Sequence, residues 1–272
     1  MKTVVITGST RGLGFEMAKQ FRLHGFNVVI NGVNKERADK AVSSLQSIKG
    51  DGGIACCIAD VSDTAGIREI MKCAVSRFGN VDIWINNAGI NQPMKAMWEL
   101  SEEEIDALLN VDLRGTVMGT RAATLQMETQ PEGGMIYNME GFGSNNAMIL
   151  GLNMYGTSKH AVTFFTRAFA KELEERGSKV RIGRLSPGMM LTDFTTSALG
   201  GKEEIPVSEK SQKIYSILGD KPDVVATWLV KKILKNRNND AHFEWLTGRK
   251  AAWRFLKSAA STSNAQKKGS MK

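Results

Sequence analysis

Six short apolar runs constrain this chain more than any other feature: KTVVITG, FNVVING, GIACCIAD, VDIWINNAG, GGMIYNM and KVRIGRLSPG, in that order from Lys2 to Gly188. Segments of helical period separate them. Strands that are apolar throughout, instead of alternating, belong to a sheet covered on both faces, and the βαβα order makes that sheet mainly parallel. The reading is therefore α/β, a doubly wound parallel sheet in a single domain over residues 1–250. From Thr192 to about Asp220 the periodicity fades into TDFTTSALGGKEEIPVSEKSQ, a long insertion expected to be a lid, and helix resumes near Pro222. Residues 251–272 read as a basic tail whose end, STSNAQKKGSMK, lacks apolar content and is expected to be disordered in part.

Composition excludes several classes. With 272 residues and 42% hydrophobic content, the chain can bury a large core. It contains no run of about 18 apolar residues, and it opens on a strand pattern, so neither a membrane span nor a cleaved leader is expected. Cys56, Cys57 and Cys73 lack metal or redox spacing. They suit a reducing, cytoplasmic setting, and no metal site is expected. Of the net charge of +8, five positive charges (Arg254, Lys257, Lys267, Lys268 and Lys272) lie in the last 22 residues with no acid among them. The rest is only mildly basic, and without zinc spacing or an aromatic ladder no nucleic-acid partner is expected.

The first apolar run ends in TGSTRGLG, Thr7 to Gly14, and a helical pattern follows. Gly8, Gly12 and Gly14 suit the three tasks of a dinucleotide turn: a tight bend, close approach of backbone to a pyrophosphate, and close helix packing. NAD-selective sites place a carboxylate at the end of the second strand, but here Gly32 stands there. Arg11, with Lys35 or Arg37, supplies positive charge, so NADP(H) is expected over NAD(H), although Val33 stands where an arginine would make the case firm. Asp60 is placed to meet the adenine amino group or to cap the next helix.

Tyr155 and Lys159, in YGTSK, lie one helical turn apart on one face. A phenol titrates near 10, and a neighbouring cation lowers that value, so the pair suits proton transfer to a carbonyl. TGSTRGLG, IADVSD, INNAG, YGTSK and SPGMMLTD occur in the order seen in classical short-chain dehydrogenases/reductases, which the chain resembles over roughly residues 3–250. The resemblance implies a Rossmann-type fold and a nicotinamide cofactor. It implies Tyr155 as general acid/base, with Lys159 binding the nicotinamide ribose and lowering the pKa of the tyrosine. Gly8, Thr10, Arg11, Gly12, Leu13, Gly14, Asp60, Val61, Asn87, Ala88, Gly89, Pro187, Gly188 and Thr192 would line the cofactor.

Two positions depart from the pattern. Asp112 stands where asparagine is usual in a proton relay, and a carboxylate there would keep a relay but compete for the charge of Lys159. Gly141 stands where serine is usual, and Ser144 is the next hydroxyl, expected as oxyanion donor. NMEGFGS resembles the NMDGxGS of chlorophyll(ide) b reductases, which implies reduction of a formyl group on a tetrapyrrole. Alternatives are a 3-oxoacyl thioester or secondary-alcohol enzyme, or a nucleotide-binding regulatory protein without chemistry. GMMLTDFTTSALGG after Pro187 reads as an apolar wall for a bulky substrate or as core packing. The wide apolar band of the helix after YGTSK (Ala161, Val162, Phe164, Phe165, Ala168, Phe169, Leu173) points to a homo-oligomer, a tetramer by resemblance.

Overall fold

A computed structural model describes residues 1–190, 192–205 and 208–269. The elements run β1 (Thr3–Ile6), α1 (Gly12–Leu23), β2 (Asn27–Gly32), α2 (Lys35–Gln46), β3 (Ile54–Ile58), α3 (Thr64–Phe78) and β4 (Ile83–Asn86). After them come α4 (Glu102–Leu108), α5 (Gly115–Glu128), β5 (Gly134–Met139), α6 (Asn153–Glu175), β6 (Val180–Ser186) and α7 (Asp193–Thr196). A two-residue hairpin, β7 (Ser197–Ala198) with β8 (Glu203–Glu204), precedes α8 (Glu209–Leu218), α9 (Pro222–Lys235), β9 (Ala241–Glu244) and α10 (Gly248–Gly269).

The main sheet has seven strands in the order β3-β2-β1-β4-β5-β6-β9, and every pairing in it is parallel. This is the expected doubly wound, Rossmann-type sheet. Both faces are covered: Val4, Ile6, Val28 and Ile30 pack with residues of α1 and α9, while Val5 and Val29 pack with residues of α3, α5 and α6. That explains why the strands lack alternation. The strand order reverses between β1 and β4, and the crevice beyond the carboxyl ends of these two strands is where such sheets bind ligands.

Two elements differ from expectation. Strand β9, the edge strand, has the sequence AHFE, too short and too polar to stand out. Helix α10 runs from Gly248 to Gly269, across much of the stretch read as a tail; Ser270, Met271 and Lys272 lie outside the described residues.

Between α4 and α5 the helix widens into a π turn over Leu109–Arg114. Such turns insert an extra residue and re-aim side chains, often at functional sites. Here the turn carries the fully buried Asp112. A buried polar network ties the neighbouring elements together. Trp84 Nε1 donates to Asn86 Oδ1 (2.7 Å), Asn86 Nδ2 to Thr120 Oγ1 (3.1 Å) and Asn138 Oδ1 (2.8 Å), and Asn138 Nδ2 to Thr166 Oγ1 (2.9 Å). These bonds join β4, β5, α5 and α6 at fixed register, because each buried group left unpaired would cost about 1–3 kcal/mol.

Candidate active site

The glycine turn is clamped to the end of β4. Thr7 Oγ1 accepts the backbone N–H of both Asn87 and Ala88 (3.0 Å each), and Asn87 Nδ2 donates to the carbonyls of Thr7 (2.9 Å) and Gly8 (3.0 Å). Gly8 needs its positive φ of 60°, and a side chain there would strike Ala88. A Cβ at Gly14 would strike the Asn87 amide, whereas Gly12, at φ 58°, faces open space. The first turn of α1 has neither a side-chain cap nor an acidic residue, so its N–H groups remain for an anion. These features fit the pyrophosphate of a dinucleotide.

Around the turn, a Cβ at Gly32 would lie 2.7 Å from Thr10 Oγ1, so Thr10 fills the space a longer residue would need. Leu13 is buried in the core face of α1. Arg11 Nη1 pairs with Asp193 of α7 at 3.0 Å, so the residue expected to meet a phosphate holds the lid. Arg11, Arg37, Asp193 and Thr196 line one cleft. Lys35 pairs with Asp39. Asp60 is exposed and accepts the Ser62 N–H (2.9 Å), while the cap of α3 is Asp63; the capping role considered for Asp60 thus falls to another residue. Val61 is buried against Gly115.

Tyr155 and Lys159 come from the first two turns of α6 and are 6% and 4% exposed. Lys159 Nζ lies 5.6 Å from the centre of the Tyr155 ring and 3.9 Å from Asp112 Oδ2. Asp112 Oδ1 accepts the Ile90 N–H (2.8 Å). A Cβ at Gly89 would come within 3.1 Å of Asp112 Oδ1 and 3.4 Å of Lys159 Nζ, so the glycine admits the pair. Burial pushes the Asp112 carboxyl above its usual range, with Lys159 and the Ile90 N–H pulling the other way. The Tyr155 phenol is pushed well above its ordinary value, first by burial, then by the charge of Asp112 and by Tyr215. Burial is the larger cause, and the charge of Asp112 adds to it.

Gly141 faces the Tyr155 hydroxyl, into which a Cβ would run. Ser144 Oγ accepts the Gly141 N–H (3.2 Å) and donates to the Lys159 carbonyl (3.2 Å), bracing the glycine loop against α6. Beside it, Glu140 is buried. Its carboxylate accepts from Thr163 Oγ1 (2.9 Å), meets His242 Nε2 (2.8 Å) and lies 3.6 Å from Arg184. Burial raises the Glu140 carboxyl, but His242, Thr163 and Arg184 together outweigh it and hold the group below its usual value.

The lid docks through Leu199 N to the Asn91 carbonyl (2.9 Å) and Asn91 Nδ2 to the Phe194 carbonyl (3.2 Å), and its ends meet where Asp220 N donates to the Met189 carbonyl (3.0 Å). Pro187 is buried, Gly188 adopts φ 74° against Leu246, and the Thr192 carbonyl accepts the Thr195 N–H at the start of α7. Phe194 packs its ring 5.9 Å from that of Tyr155, and Met190 packs on the core. The apolar-wall reading thus divides between site and core, and Leu191 lies outside the described residues. Sequence reasoning missed Gln92, fully buried, whose Oε1 accepts the Tyr155 N–H (3.0 Å) and so anchors the start of α6. It quoted Glu140 within NMEGFGS but gave it no role, because its partners Arg184 and His242 lie far along the chain.

A family model described as short chain dehydrogenase matches residues 2–202. The chain is 32% identical over 259 residues to a chloroplastic chlorophyll(ide) b reductase of Oryza sativa subsp. japonica, covering 93% of this chain and 74% of that protein. It is 31% identical to a probable chloroplastic chlorophyll(ide) b reductase of Arabidopsis thaliana, covering 90% of this chain and about half of that one (51%). The solved 3-ketoacyl-(acyl-carrier-protein) reductase of Brucella melitensis, complexed with NADH, superposes with a TM-score of 0.77 at 26% identity, covering 92% of this chain and 98% of that one.

The charge of Asp112 opposes ionisation of Tyr155. Asp112→Asn removes it and lowers the phenol's pKa, so activity that needs the phenolate, such as oxidation of an alcohol, will rise at lower pH than in the wild type. The pH profile of alcohol oxidation measures this, and an unchanged or alkaline-shifted profile contradicts it.

Proposed function

Because the chain belongs to the short-chain dehydrogenase/reductase family, we propose that this oxidoreductase uses NADPH to reduce a carbonyl of a bulky apolar substrate, the formyl group of chlorophyll(ide) b. The observation that carries the substrate class is an apolar rim at the site. Met94 (52% exposed), Trp98 (84%), Met148 (91%) and Leu150 (95%) stand on two loops that adjoin at Gly151 and Met94. One loop follows Gln92, which bonds Tyr155, and the other leads directly into α6. Exposed apolar surface on this scale marks a binding site, and methionines adapt to large, flat ligands. The likeness to a chlorophyll(ide) b reductase over 93% of the chain supports the tetrapyrrole among bulky carbonyls.

Bound reduced nicotinamide supplies the hydride. The Thr7–Gly14 turn, Thr10 and Leu13 included, would hold the pyrophosphate, Arg11 and Arg37 the 2′-phosphate, and Asp60 and Val61 the adenine. Asn87, Ala88 and Gly89 would line the adenosine side, Tyr155 and Lys159 the nicotinamide ribose, and Pro187, Gly188 and Thr192 the carboxamide. Tyr155 Oη gives its proton to the carbonyl oxygen. Lys159 stabilises the phenolate that remains, and Asp112 serves as the inner end of the relay that returns a proton. Ser144, as direct donor to the carbonyl oxygen, would have to release the Lys159 carbonyl. Three free cysteines, with Cys56 and Cys57 pushed up to about 11 by burial, agree with the cytoplasmic reading. Among the described residues no helix is long and apolar enough to cross a membrane.

The cofactor reading has a direct test. A phosphate competes with Asp193 for Arg11, and guanidinium binds phosphate in a bidentate fashion. NADPH will bind more tightly than NADH in fluorescence titrations, and Arg11→Ala will erase the difference. Equal affinity in the wild type contradicts it.

The substrate reading is tested by NADPH consumption over chlorophyllide b, simple aromatic aldehydes and an acetoacetyl thioester, with products identified by mass. Reduction of chlorophyllide b to the hydroxymethyl product is expected, and Tyr155→Phe will abolish it while cofactor binding persists. Reduction of the thioester alone favours the 3-oxoacyl alternative. Turnover of nothing favours a regulatory nucleotide-binding protein.

We also infer a homo-oligomer, a tetramer by family likeness. On α6, Val162 and Leu173 are buried, while Phe164 is 73% exposed on the outer side. Light scattering at micromolar concentration will report an assembly, and a monomer contradicts it.

A further inference from the structure

Helix α10 turns an apolar side outward. On its inner side, Arg254 Nη1 donates to the Leu218 carbonyl (2.8 Å) at the end of α8 and pairs with Asp220 (2.8 Å), and Lys250 Nζ lies 3.1 Å from the centre of the Trp245 ring. Ala251 and Ser258 are half-buried along the same side. These contacts fix which side of the helix faces out. There, Trp253 is 59% exposed, Leu256 71% and Phe255 45%, with Ala252 and Ala259 exposed between them. Arg249 and Lys257 are exposed beside them, and Lys257 Nζ stands 5.2 Å from the centre of the Trp253 ring.

A surface helix of a folded domain ordinarily has the opposite arrangement, with its apolar side against the core. Large apolar side chains gathered on an outward side mark a contact surface. The charge identifies the partner. From Gly248 to Lys272 the chain holds seven basic residues and no acidic one, so this segment carries nearly all of the net charge of +8. A second copy is a poor occupant: two such helices face to face set like charge against like, and the rest of the chain, close to neutral, offers little to offset it. An anionic surface complements the helix along its length. An outward apolar side that holds a tryptophan and is flanked by Lys and Arg is the pattern of a helix lying in the interface of a bilayer.

We propose that α10 docks the protein on an anionic lipid surface, with Trp253, Phe255 and Leu256 entering the interface and Arg249 and Lys257 meeting lipid phosphates. The helix lies on the bilayer without crossing it, in keeping with the absence of a membrane-spanning helix among the described residues. Through Arg254 and Asp220 it is joined to the foot of the lid, where the Asp220 N–H donates to the Met189 carbonyl (3.0 Å). The docking surface does not depend on the carbonyl-reductase reading.

The test floats the full chain with vesicles of phosphatidylcholine alone or of equal parts phosphatidylcholine and phosphatidylglycerol. Wild type will bind the anionic vesicles about tenfold or more tighter than the zwitterionic ones, and high salt will release it. Trp253→Ser with Leu256→Ser, and separately Arg249→Gln with Lys257→Gln, will each weaken binding about tenfold or more, with the thermal midpoint unchanged. Brominated lipid in the anionic vesicles will quench tryptophan emission in wild type and much less in Trp253→Phe. Failure of the wild type to float with anionic vesicles overturns the proposal, as does equal binding to both kinds of vesicle or quenching undiminished in Trp253→Phe. If Trp253→Ser with Leu256→Ser lowers the mass in light scattering but leaves vesicle binding at the wild-type level, the face belongs to a second copy and the proposal is overturned.

Discussion

The buried pair of Lys159 and Asp112 is the constraint around which the site is arranged. An amine and a carboxylate 3.9 Å apart, 4% and 0% exposed, lose several kcal/mol each in hydration, and only their mutual attraction and fixed hydrogen bonds offset that cost. Gly89 must lack a side chain to admit them, the Ile90 N–H must point at Asp112, and the helix between α4 and α5 must widen into a π turn to aim the carboxylate inward. With asparagine at position 112 the lysine would face a neutral partner and bear more strongly on Tyr155. With aspartate, the carboxylate's charge adds to burial, the larger cause, in raising the phenol.

A second set of interactions holds this pair at the mouth of the crevice. Thr7, Asn87 and Ala88 lock the glycine turn to β4, while Asn86, Asn138, Thr120 and Thr166 lock β4 and β5 to α5 and α6. The Asn86, Asn138, Thr120 and Thr166 bonds are buried and the Thr7, Asn87 and Ala88 bonds partly so, and a buried bond costs more lost than it contributes when kept. The cofactor cradle and the helix bearing Tyr155 and Lys159 are thereby one rigid piece. Arg11 extends that piece to the lid through Asp193.

The departure at Gly141 has a steric basis. The glycine loop passes so near the Tyr155 hydroxyl that a serine would collide with it, and Ser144, three residues on, binds backbone on both sides. The loop before Tyr155 is thus built from backbone and braced from beneath by Glu140, which reaches Thr163 on α6 and His242 on the edge strand β9. Above it, Phe194 of the lid packs its ring 5.9 Å from that of Tyr155.

The sheet, its parallel sense, the dinucleotide turn and the Tyr155–Lys159 pair were legible in the sequence, because each follows from local periodicity or from spacing along one helix. Strand runs such as TVVI and IWIN declare their double burial by composition alone, and YGTSK places its two side chains on one face whatever surrounds them. Tertiary structure decided what depends on residues far apart in the chain: Arg11 with Asp193, Gln92 with Tyr155, and Glu140 with His242. It also decided the direction of the Tyr155 shift. A lysine four residues away lowers a phenol when only the helix is considered, but burial and a carboxylate 43 positions earlier, brought in by a π turn, raise it. Electrostatic work depends on the three-dimensional arrangement of charge and solvent, and one-dimensional spacing does not contain it.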